Sequence, residues 1–143
     1  SSTLAVSHIQ TRFGDFPVIS PSVLIFPDGI PGFEGCHRFV LIAADELSPL
    51  CCLQSLDVPC PSFLVANPLI IRPDYLVELP PADRFKLGVG SDDSLLWLVI
   101  LTVEDRRVTA NLRAPIVINT RQMVGCQPVV DDAEYPVCEP VEV

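Results

Sequence analysis

The side chains best suited to bind a metal or to act as nucleophiles in this 143-residue chain are its six cysteines and two histidines. The cysteines are Cys36, Cys51, Cys52, Cys60, Cys126 and Cys138. Their spacing predicts no metal site, because it contains no Cys-x-x-Cys pair and no closely spaced pair of histidines. We expect reduced thiols that act as small apolar side chains. One of Cys51 and Cys52 should be buried, since neighbouring strand residues face opposite ways.

The sequence also matches no common catalytic or cofactor-binding pattern. A catalytic Cys–His pair needs contact and an orienting group, and nothing in the sequence brings His8 or His37 to such a position. Ser55 and Ser94 lie in no Gly-x-Ser-x-Gly turn, and acidic residues follow the glycines of 88–90, where they would repel a phosphate. We expect no catalytic residue, no cofactor and no enzyme. The alternative is a small thiol-dependent enzyme or a metal-binding β-domain.

The chain is strongly acidic. It has 18 Asp and Glu residues against 9 Lys and Arg residues, which gives a formal net charge of -9. Such a surface repels nucleic-acid phosphate and anionic membrane and attracts basic proteins, although it also serves solubility alone. Acidic pairs occur at 45–46, 92–93 and 131–132. The apolar stretch 95–103 is shorter than the roughly 20 residues that cross a bilayer. We expect no nucleic-acid binding and no membrane association.

Fifteen prolines and seven glycines predict many short strands joined by rigid turns. Strands are expected at 4–9, 18–19, 23–26, 38–43, 50–55, 63–66, 95–103, 108–112, 115–118 and 124–130. Pro128 breaks the last of these, which favours a sheet edge. The pattern predicts one all-β domain over residues 1–143, a barrel or a sandwich, with its core at about 3–137. The acidic, proline-containing tail 138–143 is expected to be loose.

A single short helix is expected at residues 80–88. Pro80 and Pro81 suit a first helical turn, Asp83 and Lys86 suit the two ends of the helix dipole, and Gly88 suits the position after the last turn. We expect this helix to plug or cap one end of the β-structure.

Several segments, in order along nearly the whole chain, resemble the flagellar assembly factor (FliW) family. The segments are 11–14 (TRFG), 26–34 (FPDGIPGFE), 38–41 (RFVL), 53–55 (LQS), 67–68 (NP), 73–75 (PDY), 108–112 (VTANL), 114–120 (APIVINT) and 135–137 (YPV). The resemblance implies a compact β-barrel-like fold and a cytoplasmic location. It also implies two protein partners, flagellin through its C-terminal region and the RNA-binding translational regulator CsrA. In this family flagellin and the regulator compete, so that export of flagellin frees the factor to relieve repression of flagellin translation.

Seven residues are the candidate contacts for these partners: Ile30, Phe33, Glu34, Asp74, Tyr75, Asn111 and Asn119. Ile30 and Phe33 lie among turn-forming residues, so they either fold back into the core or stand exposed beside Glu34 as apolar anchors.

The other candidates also have two interpretations. Tyr75 is an interface anchor next to Asp74, or it caps the core with its hydroxyl in water. Asn111 and Asn119 bond the backbone of a partner or satisfy their own turns.

Overall fold

The chain folds mainly as β-strands in a computed structural model that describes residues 6–19, 22–90, 94–128 and 135–142. The strands are β1 Val6–Thr11, β2 Gly14–Ile19, β3 Leu24–Ile25, β4 Arg38–Ile42, β5 Cys51–Ser55, β6 Ser62–Ala66, β7 Leu95–Glu104, β8 Arg107–Ala110, β9 Ile116–Asn119, β10 Val124–Cys126 and β11 Glu139–Val141. The helical elements are a 3-10 turn at Pro68–Ile70 and helix α1 at Pro81–Lys86. The predicted all-β class is therefore confirmed.

Seven strands close into a barrel. Strands β3, β4, β5, β6 and β7 follow one another as antiparallel neighbours, β10 joins β3 to β9, and β9 pairs back with β7. Strand β7 closes the ring because it is long enough to serve two partners along one edge: residues 95–98 pair with β9 and residues 101–104 pair with β8. Strand β11 extends the sheet beyond β8, and β1 and β2 form a separate hairpin.

Alternation along the strands divides the barrel into an inside and an outside. Phe39, Leu53 and Val65 belong to the largest apolar cluster, which draws on strands all around the ring and fills its interior. Their neighbours Val40 and Leu64 belong to other clusters and therefore face outward.

Three layers cover this outward-facing apolar surface. The β1–β2 hairpin places Phe16 against the cluster of Val40, Ile42 and Cys52. A second cluster packs around Tyr75 and Tyr135. The third layer is the segment around α1, whose flanking residues Leu79 and Leu87 pack against Val117 and Cys126. Because these coverings lie outside the barrel, both of its faces are buried over much of the wall.

Three expectations about individual elements are wrong. Helix α1 lies against the outer wall of the barrel through its flanking leucines, and none of its own residues is buried, so it does not plug an end. Strand β10 pairs on both sides and is no edge, since it ends at Cys126 before Pro128. The tail is not loose over Glu139–Val141, because these residues pair with β8.

Candidate protein-binding surfaces

The turn at 28–34 turns Ile30 into the barrel. Gly29 adopts φ of +66°, and a Cβ there would come within 2.6 Å of the carbonyl oxygen of Phe33, so the close approach of the backbone requires glycine. The Phe33 amide donates to the Ile30 carbonyl at 2.6 Å, and Ile30 is 2% exposed. The core interpretation is therefore confirmed for Ile30.

Phe33 and Glu34 keep surface for a partner. Phe33 is half-buried, and its ring packs edge-on against Phe63 with 5.5 Å between centroids. Glu34 is exposed, and its carboxylate accepts a hydrogen bond from the amide of Gly32 at 3.2 Å. Whether either residue contacts a partner stays a prediction.

Tyr75 is buried. The expectation that its hydroxyl would lie in water is wrong. The hydroxyl donates to the carbonyl of Leu112 at 2.8 Å, and the ring lies 4.7 Å from that of Tyr135. Burial, with a smaller contribution from Tyr135, raises the pKa of Tyr75 to about 12. Asp74 is highly exposed, and its carboxylate lies 3.5 Å from Nε of Arg72.

Both candidate asparagines satisfy turns. The side-chain oxygen of Asn111 accepts from the amides of Arg113 and Ala114 at 3.1 and 3.2 Å. The corresponding oxygen of Asn119 accepts from the amides of Arg121 and Gln122. Its Nδ2 donates to the carbonyl of Leu87 at 2.9 Å. The interpretation that these two side chains satisfy their own turns is confirmed. Asn119 also joins β9 to the segment after α1.

The structure brings together only part of the candidate set. Ile30, Phe33 and Glu34 share one turn. Tyr75 bonds the residue after Asn111, so these two belong to one neighbourhood.

The thiols divide into buried and exposed groups. Cys52 is fully buried beside a half-buried Cys51, as expected, and burial raises the pKa of both. Burial raises the pKa of Cys126 to about 12. These shifts run opposite to those of a nucleophilic thiol. Cys60 and Cys138 are exposed, so the prediction that the thiols serve as core side chains fails for these two.

The histidines make local contacts. Nδ1 of His37 lies 2.9 Å from the carbonyl of Phe26, and Nδ1 of His8 lies 3.8 Å from the carboxylate of Asp15. Within the described ranges, no three His, Cys, Asp or Glu side chains are grouped so that they could hold a metal ion.

The described part of the fold has several concave surfaces, two of which are lined mainly by apolar side chains. The larger, of about 930 Å³, lies between the tip of the β1–β2 hairpin at Thr11–Phe13 and the diverging ends of β6 and β7. The smaller, of about 280 Å³, lies between the 3-10 turn, residues 75–77 and the start of β7 at 95–97.

Sequence reasoning missed the apolar residues beside the smaller pocket. Leu76 is 80% exposed, Leu69 50% and Ile70 55%. Their signal is their place in proline-bounded segments outside any alternating strand pattern, where nothing directs an apolar side chain inward.

Acidic pairs were the other candidate feature. Asp45 and Glu46 are exposed. The pairs at 92–93 and 131–132 lie outside the described residues. In the part of the chain that the structure describes, we find no helix with the length and apolar character that membrane crossing requires.

Comparison with known proteins places these features in a family. The FliW protein family model matches residues 7–141. The flagellar assembly factor FliW of Thermotoga neapolitana is 36% identical over 129 residues, covering 88% of this chain and 87% of the relative. The FliW of Bacillus licheniformis is 33% identical over 136 residues, covering 93% and 95%. A crystal structure of the flagellar assembly factor FliW superimposes with a TM-score of 0.82 at 31% identity, covering 94% of this chain and 96% of the other. The chain therefore belongs to the FliW family of flagellar assembly factors.

Proposed function

We propose that this flagellar assembly factor works by binding proteins in the cytoplasm and not by catalysis. It binds flagellin before export, and it binds the translational regulator CsrA when flagellin has left. The observation that supports this proposal is the family match over residues 7–141, which includes the turn at 26–34 and the strands at 108–120.

The physical character of the surface supports binding of protein partners. Exposed apolar side chains such as Leu76 and Ile70, which are 80% and 55% exposed, are the kind that partner helices cover. The net charge of -9 favours encounter with a regulator that must present Lys or Arg to RNA phosphate. The rate of association with the regulator should therefore fall as salt rises. Added ions shorten the distance over which charges attract, which is about 8 Å at physiological salt.

Titration calorimetry with unpolymerised flagellin tests the flagellin part of the proposal. Full-length flagellin should bind, and flagellin that lacks its C-terminal region should bind at least tenfold more weakly. Equal binding to both would refute the C-terminal assignment, and no binding to either would refute the flagellin partnership.

A further inference from the structure

Leu76 is an apolar side chain that the fold holds out in solvent. The residue is 80% exposed, yet one hydroxyl fixes its backbone at both polar atoms: the Tyr135 hydroxyl accepts from the Leu76 amide at 3.0 Å and donates to the Leu76 carbonyl at 3.2 Å. Tyr135 is itself 6% exposed and packs against the ring of Tyr75. Because the backbone of Leu76 is already ordered, little further freedom is lost when a partner covers it, as a preorganised contact requires.

A pocket of about 280 Å³ adjoins this side chain. Leu69, Leu76 and Trp97 contribute to its walls, and the exposed Ile70 follows Leu69 in the 3-10 turn. The volume corresponds to that of about nine liquid waters, enough for one bulky side chain of a partner. Release of water from such walls favours binding of an apolar group. We call Leu69, Ile70, Leu76 and Trp97 the Leu76 surface.

Charge at the edge of the Leu76 surface indicates what flanks that apolar group. Asp74 and Glu78, two residues on either side of Leu76, are both exposed. Arg72 lies 3.5 Å from the carboxylate of Asp74 and offsets one of the two negative charges. Two carboxylates against one guanidinium leave these three side chains net acidic, as is the whole chain, so the complementary partner carries Lys or Arg beside its apolar side chain.

We propose that the Leu76 surface is the docking site for a protein segment that inserts one bulky apolar side chain between basic residues. This inference rests on the proposed function. Of its two partners, the basic RNA-binding regulator fits this chemistry, because such a protein must carry Lys or Arg for phosphate. The apolar insertion supplies most of the affinity, and the acidic edge favours this partner over acidic ones.

Calorimetry with purified CsrA, without RNA, tests the assignment in the full chain. Leu76→Asp should weaken binding more than tenfold, whereas Phe85→Asp, at a residue 89% exposed on α1, should stay within twofold of wild type. Both changes are at exposed side chains, so both variants should melt at the wild-type temperature. Leu76→Ala provides a milder variant in case the charge itself disturbs the segment, and it should weaken binding severalfold.

The outcomes separate the site from the function. Loss of CsrA binding in Leu76→Asp but not in Phe85→Asp supports the assignment. Wild-type affinity in Leu76→Asp and Leu76→Ala overturns the site and leaves the proposed function standing. Weaker binding of flagellin alone overturns the choice of partner. Failure of the wild-type protein to bind CsrA overturns the regulator part of the proposed function, and this inference with it.

Discussion

Asp57 clamps the start of β4 to the loop that follows β5. One carboxylate oxygen accepts from the amides of His37 and Arg38, both at 2.8 Å. The other accepts from the Arg38 side chain, with Nη2 at 2.8 Å. The Arg38 side chain and then the two amides lower the pKa of Asp57 to about 2. Proton binding to Asp57 should therefore weaken the folded state.

In the Asp57→Asn variant, the free energy of unfolding should fall less steeply between about pH 4 and pH 2 than it does in the wild type. Because the carboxyl has a pKa near 3.9 in the unfolded chain, its contribution is complete above that value and is lost as the pH falls towards the folded value of about 2. Urea unfolding at several pH values from 5 to 2 measures the effect. Asp45→Asn, at an exposed carboxylate, is the control and should follow the wild-type curve. Parallel curves for wild type and Asp57→Asn would show that the clamp contributes nothing.

Single residues illustrate how far sequence reasoning reaches. The types of Asn111 and Asn119 indicate turn satisfaction, which is a local effect and was predictable. The bond from Asn119 to Leu87, 32 residues away, depends on the closed barrel and was not. Exposure of Leu76 was missed for the same reason, because only the assembled fold shows which apolar side chains the core leaves out.

At the scale of elements, predictability follows the strength of alternation. Strands β4 to β7 were expected within a few residues of their bounds, since their apolar residues alternate or run continuously between turn formers. Strand β11 was missed because Glu139 and Pro140 carry no strand signal, and only the exposed edge of β8 recruits them. The position of α1 was wrong because the sequence does not say which face of the sheet its flanking leucines meet.

The β7–β8 turn offers a stabilising change. Asp105 and Arg106 have φ of +50° and +67°, as the two-residue turn between Glu104 and Arg107 requires. Arg106→Gly should raise the free energy of unfolding by about 1 kcal/mol, because glycine adopts this conformation without steric cost. Thermal and urea unfolding measure it. Arg107→Gly, in the adjacent strand, is the control and should lower stability; a loss in both variants would contradict the argument.

Contact between β10 and the barrel interior leaves no room for a side chain at Gly125. A Cβ there would lie 2.5 Å from the ring of Phe26, which is fully buried and packs against Phe39. Gly125→Ala should therefore destabilise the fold by about 1–3 kcal/mol. Gly35→Ala, where a Cβ meets nothing within 4 Å, should change stability by less than about 0.5 kcal/mol. Equal unfolding midpoints for the two variants would mean that the interior yields more easily than its packing indicates.

At the scale of the whole molecule, the barrel wall is packed with apolar side chains on both of its faces. The barrel is filled inside by one apolar cluster and is covered outside over much of its wall, so the partners that we propose must use what remains exposed. The barrel-like fold and the family followed from the sequence, because motifs such as 26–34 retain their order and spacing. The proposed docking surface did not, because Leu69, Leu76 and Trp97 come from different segments that only the fold brings together.

The proposed switch makes one measurement decisive: binding of labelled flagellin-message RNA to CsrA, followed by fluorescence polarisation. Adding this protein should release RNA from the regulator, because an acidic protein bound to the regulator weakens its attraction for phosphate. Adding unpolymerised flagellin in equal amount should then restore RNA binding by competing for this protein. RNA binding that this protein leaves unchanged, or that flagellin fails to restore, would contradict the account.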